Sequence, residues 1–214
     1  MKKIIYFFAF LTGSFLFNSC SGDDDGSGSS KSISIGDEVI SLKTGATFYY
    51  GQDGEEGYNT DLNISSLSKS DVLDLLALEV ELEDESITYE EYEEQAAEII
   101  GDQTVSGFYI EAFSDVMEEL SVGTYNGPLS TYEAYTYSSA EFYEGDTYYD
   151  LEGVFTVIKS SNNYYEVEFI GETTDGLEVN LSFAGTFIHS DYSSDYGFDS
   201  KGVKSKKTSK LFLK

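Results

Sequence analysis

"GVFTVIKSSNNYYEVEFIGETTDGLEVNLSFAGTFIH" (residues 153–189) decides the fold. It contains three apolar-alternating runs separated by two turn signals. The first run, "GVFTVIKS", leads through Ser161-Asn162-Asn163 into "YYEVEFIGE". The second turn holds Asp175-Gly176, two residues that tolerate positive φ and mark hairpins. Leu177, Val179, Leu181, Phe183, Gly185 and Phe187 share one parity, and Tyr165, Val167, Phe169 and Gly171 share the matching one. A period of two with one apolar face predicts an antiparallel meander with one side buried.

The same pattern extends towards the N-terminus. "EVISL" and "ATFYY" read as short strands. "YNTDLNIS" (58–65) sets Tyr58, Thr60, Leu62 and Ile64 against Asn59, Asp61, Asn63 and Ser65, a strand with one polar face. "GFYIEAF" (107–113), "SVGTY" and "STYEAYTYSS" add further strands, and "EGDTYYDLEG" (144–153) reads as a loop. Between them, "SDVLDLLAL" has a helix-start signal, whereas the alternation in "ALEVELED" predicts a strand. "TYEEYEEQAAEIIG" predicts an acidic helix. Thr88 and Glu91 are spaced as a capping box, Gly101 is placed as a stop, and Tyr92, Ala96 and Ile99 fall on one face. About ten strands with one or two inserted helices predict a mainly β domain, either an antiparallel β-sandwich or a small barrel.

Composition agrees. The 214 residues include 18 Tyr and 15 Phe but no Trp and a single Pro, a bias that suits pleated, half-buried surfaces. The formal net charge is −28. All 40 carboxylates lie in residues 20–200 with only Lys31, Lys43, Lys69 and Lys159, and six lysines crowd into residues 201–214. A body this acidic repels phosphate backbones, and the chain has no Arg for bidentate phosphate reading, so no nucleic-acid partner is expected.

The N-terminus carries an address. "MKK" precedes the uncharged run "IIYFFAFLTGSFLF" (4–17). As a helix this run would be about 21 Å long at ~1.5 Å per residue, short of the roughly 30 Å hydrocarbon core. It suits the apolar region of a secretory signal. Ser19 then precedes Cys20, the only cysteine. This junction resembles a bacterial lipoprotein signal, in which cleavage leaves a lipid-bearing cysteine at the new N-terminus. Phe17 and Asn18 stand where that pattern has Leu and a small residue, so an ordinary secretory peptide or an uncleaved anchor is the alternative. A disulfide needs a second cysteine, and a reactive thiolate needs partners held by a fold. Lipidation of Cys20, including palmitate, accounts for its position. More than one acyl chain would hold the protein stably.

"SGDDDGSGSSKS" follows, a solvated tether by composition. Asp23, Asp24 and Asp25 directly after the cysteine resemble the surface-export tag of Bacteroidota-type lipoproteins. The strand layout over most of residues 33–189 resembles a class of uncharacterised Bacteroidota surface lipoproteins. That resemblance implies a lipid-anchored protein of the cell outer membrane facing outward, and no particular reaction. The expected organisation is a signal over 1–19, a tether over 20–31, one β-rich domain over 32–200 with a helical insertion about 68–101, and a basic tail over 201–214. The tail has three readings: disorder, an edge strand through Leu211 and Leu213, or contact with an anionic partner.

Chemistry-bearing motifs are sparse. His189 is the only histidine and no G-x-S-x-G elbow accompanies it. Zinc would need more His or Cys ligands, and phosphate-loop signatures are missing. Asp191, Asp195 and Asp199 recur every four residues and could line a calcium loop, although a solvated loop is the simpler reading. The tyrosines of 132–149 are either a sugar-stacking platform or cross-strand ladders. No catalytic, metal or cofactor residue is assigned. The expected function is non-catalytic: an envelope lipoprotein whose β domain binds a glycan or small molecule. The alternatives are a structural or protein-interaction module and, last, a carboxylate-dependent hydrolase.

Overall fold

The computed structural model describes residues 31–53, 57–193 and 210–211. The chain is mainly β. Its strands are β1 (Ser32–Ile35), β2 (Glu38–Ser41), β3 (Thr44–Asp53), β4 (Gly57–Ser65), β5 (Ser106–Ser114), β6 (Gly123–Gly127), β7 (Thr136–Glu144), β8 (Thr147–Ser161), β9 (Tyr164–Thr173), β10 (Glu178–Thr186), β11 (Ile188–Asp191) and β12 (Lys210–Leu211). Two helices, α1 (Lys69–Glu83) and α2 (Tyr89–Ile100), lie between β4 and β5. The described strands form one continuous sheet ordered β12-β11-β3-β4-β5-β7-β6-β8-β9-β10-β1-β2. It curls into a half-barrel around its own apolar face. Among the described residues, one curled sheet, open between β12 and β2, surrounds the core.

The meander of residues 153–189 is β8, β9 and β10, paired antiparallel. Asn162 and Asn163 both adopt positive φ, 51° and 63°, as a two-residue hairpin turn requires. At Asp175-Gly176 the connection is longer than the dipeptide suggests. Only Gly176 is left-handed (φ 87°), and the Thr173 N–H bonds the Leu177 carbonyl at 2.9 Å. The expected loop over 144–153 is a hairpin instead. Glu144 and Thr147 are direct partners, and Gly145 turns the chain at φ 54°, so most of that stretch is strand. Not every pairing is antiparallel, since β11 runs parallel to β3 and β6 touches β7 in parallel.

The concave side is filled. Tyr125, Tyr137, Tyr165, Phe108, Phe113, Phe142, Phe155, Phe169 and Phe183 are all fully buried. Phe108 lies between Phe155 and Phe169, with centroids at 6.2 and 5.3 Å. Phe187 meets Tyr165 and Phe183 edge-on. Tyr137 shows how a polar tip is accommodated: its hydroxyl donates to the Gly153 carbonyl at 2.9 Å and accepts from the Gly153 N–H at 3.0 Å. A buried hydroxyl without such partners would cost about 1–3 kcal/mol.

The helices pack on the opposite, convex side. Val72, Leu75 and Leu76 of α1 join Ala46, Leu67, Val105, Tyr143 and Ile188 in a second cluster, against which Ala96, Ile99 and Ile100 of α2 are half-buried. Both helices begin with a capping box, Ser68 with Asp71 and Thr88 with Glu91, and Gly101 ends α2 at φ 59°. The strand expected over 78–83 is the last part of α1. Leu, Ala and Glu are strong helix formers, and a capped start carries the helix through a short alternating stretch. Burying Leu75 and Leu78 on one face decides the matter.

Candidate functional site

The polar face of β4 gives the clearest site. Direct partners in an antiparallel pair share a face, and Asp61 lies directly opposite Glu111 of β5. Like charges so placed destabilise a sheet unless other groups compensate. Here donors do so. The Tyr109 hydroxyl donates to Asp61 Oδ2 at 2.8 Å. Asn59 Nδ2 donates to Glu111 Oε1 at 3.0 Å, and the Ser138 hydroxyl donates to Glu111 Oε2. Burial, with the charges of Asp61 and Glu111 nearby, pushes the Tyr109 hydroxyl far above the ordinary range, so it stays a phenol and a donor.

Two β-bulges bracket this pair. In β3 the register jumps from Tyr49 opposite Thr60 to Gly51 opposite Asn59, leaving Tyr50 as the extra residue. In β7, Glu111 opposes Ser139 and Ala112 opposes Tyr137, leaving Ser138 as the extra residue. Bulges re-aim side chains and are frequent beside functional sites. Tyr50 stacks on Tyr192 with centroids 5.7 Å apart, extending the site into an aromatic edge. Asn59 is 5 % exposed, and its Oδ1 has no hydrogen-bond partner among the described residues. The cluster therefore combines carboxylates, a phenol, a hydroxyl, an amide and aromatic rings, which together can bind hydroxyl groups.

Both oxygens of Glu111 accept hydrogen bonds from neutral donors, Asn59 and Ser138, which hold the carboxylate in place. Among the described residues, no group of three or more His, Cys, Asp or Glu side chains is placed to hold a metal ion.

His189 sits elsewhere, on β11 opposite Thr47. Its Nδ1 lies 3.1 Å from Thr47 Oγ1. Thr47 is buried, which leaves no room for a substrate at that hydroxyl. Burial lowers the His189 pKa, against the raising influence of Glu118, Asp191 and Glu119. Nearby, burial with Tyr58 and Asp191 pushes the Tyr49 hydroxyl up to about 12. Asp191 accepts from the Ser193 N–H at 2.9 Å, while Asp195 and Asp199 lie outside the described residues.

The tyrosines of 132–149 are dispersed over the fold. Tyr137 is in the core, and Tyr143 is buried with its hydroxyl on Asn63 Oδ1 at 2.9 Å. Tyr149 stacks on Phe142, and Tyr148 meets Tyr143 across the hairpin. Tyr132 rests against Phe113. Tyr143, Tyr148 and Tyr149 pack across the β7–β8 pair. Cys20 and Asp23, Asp24 and Asp25 lie outside the described residues. No described helix is long and apolar enough to cross a membrane.

The sequence reading missed Asp61 and Glu111 as a pair. The polar parity of 58–65 pointed to one side, but the register that brings Glu111 opposite comes only from strand pairing. Comparison with protein-family models, curated proteins and solved structures finds no match.

Proposed function

We propose that the chain is an envelope-anchored binding module, held at the outer membrane through a lipidated Cys20 and facing outward, that binds a hydroxyl-rich ligand such as a glycan on the convex face of its sheet. The observation that carries the binding reading is the double bulge around Asp61 and Glu111, which gathers Asn59, Tyr109 and Ser138 onto that pair. Carboxylates and amides accept from sugar hydroxyls, and Tyr50 and Tyr192 offer ring faces beside them. The aromatic filling of the concave side supports recognition on the outer surface rather than in a barrel mouth.

Isothermal titration of neutral oligosaccharides tests the reading. Glu111→Gln and Asp61→Asn are each expected to weaken binding about tenfold, the scale of one lost charge-assisted hydrogen bond. Equal affinity in wild type and both variants would contradict it. Incorporation of labelled palmitate into the wild-type chain, lost in Cys20→Ser, tests the anchor separately.

A further inference from the structure

The outer face of β8, β9 and β10 carries an ordered charge pattern unconnected with the Asp61 site. Glu152 lies directly opposite Glu172, and Glu172 directly opposite Glu178, so three carboxylates form a row across three strands. All three are exposed, and with Ile170, Gly171 and Asn180 they line a shallow depression of about 510 Å³. The next row along the strands is Val154, Ile170, Asn180, Ser34 and Val39. Ile170 is 62 % exposed, Val154 42 % and Val39 70 %. Glu168 stands in the row beyond, between Thr156 and Ser182. An apolar centre is thus flanked by carboxylates on both sides.

This arrangement works against the fold's own stability. Like charges directly opposite one another on a sheet repel. Residues 150–186 hold seven carboxylates and one lysine, and that lysine, Lys159, lies opposite Glu166 with its ammonium over the Tyr164 ring. It is engaged away from the Glu152 row. A second copy of the chain would bring the same negative face and be repelled. Positive charge supplied by a different molecule would relieve the repulsion and cover Ile170 together.

We propose that the outer face of β8, β9 and β10 docks a cationic, extended segment of a partner protein, whose apolar side chain rests on Ile170 and Val154 while its lysines or arginines meet Glu152, Glu172 and Glu178. Electrostatic steering by this row speeds encounter, and the apolar contact fixes the register.

The test is titration of the full chain at low salt with a short peptide of alternating Lys and Leu. The control changes three exposed glutamates of α2, Glu90, Glu94 and Glu98, to Gln. The triple variant Glu152→Gln, Glu172→Gln, Glu178→Gln is expected to weaken binding about tenfold or more, and the α2 variant to leave it within about twofold. Ile170→Ser is expected to weaken binding at constant salt dependence. Equal losses in the two triple variants would mean generic attraction to an acidic body and would overturn the proposal. So would an unaffected Ile170→Ser, absence of binding by wild type, or concentration-dependent self-association lost in Ile170→Ser. Oligosaccharide binding that survives in the sheet variant leaves the Asp61 reading standing whichever way this test falls.

Discussion

At the scale of single residues, the core depends on positions that leave no space. Gly171 faces Gly153 across the β8–β9 pair, with the Phe169 ring lying against both. A Cβ on Gly171 would meet the Glu152 carbonyl oxygen and the Gly153 Cα inside van der Waals contact. Gly171→Ala is therefore expected to destabilise the domain by about 1–3 kcal/mol, the usual range for overpacking, measured by urea unfolding. An unchanged midpoint would mean the strands separate more easily than their packing implies. His189 makes a second prediction. Its folded pKa lies below the ordinary 6.5, chiefly through burial. As pH falls below about 6.5 the unfolded chain takes up a proton that the folded chain resists, so stability is lost as pH falls through that value, by at most about 1.4 kcal/mol per pH unit. His189→Gln should flatten the stability profile between about pH 7 and the folded pKa; an identical slope in both proteins would contradict this.

At the scale of elements, the helical hairpin carries a carboxylate whose charge its surroundings disfavour. Glu79 of α1 is held near Tyr92 of α2 and one turn from Glu83. Burial, then the Glu83 charge, raises its pKa well above 4.5. The folded state therefore binds a proton that the unfolded state has already released, and stability falls as pH rises from about 4.5 through the folded pKa. Glu79→Gln should raise the melting temperature at pH 7 and have no effect below about pH 4.5. A destabilised variant at pH 7 would show that the carboxylate is better paired than its burial suggests. The same hairpin shows where sequence reading succeeds. The Thr88 and Glu91 spacing and Gly101 mark α2, because caps are local and their geometry follows from residue type. Residues 78–83 mislead because alternation and helical spacing overlap over six residues, and burial of Leu75 and Leu78 on one helix face chooses between them. The loop expected at 144–153 fails for a related reason: polar residues on an exposed strand face look like a turn until Gly145 and Asp146 are seen to form it alone.

At the scale of the whole molecule, the alternations of residues 153–189 announce a sheet with one buried side, and the chain delivers a single sheet that curls until that side is enclosed. Curling is not encoded in any one strand. It accumulates from twist and from bulges such as those at Tyr50 and Ser138, which no periodicity reveals. The same bulges assemble the candidate site, so the site is hidden from the sequence for the same physical reason as the curvature. With the apolar face enclosed by aromatic rings, both proposed binding surfaces, the Asp61 cluster and the acidic face of β8, β9 and β10, lie on the convex side. The most direct measurement is amide chemical-shift mapping of the protein titrated with a neutral oligosaccharide. Shifts are expected to concentrate at Asn59, Asp61, Tyr109, Glu111 and Ser138 on the convex face. Shifts centred on the interior residues Tyr125, Phe155 and Tyr165, or none at saturating ligand, would contradict binding at that site.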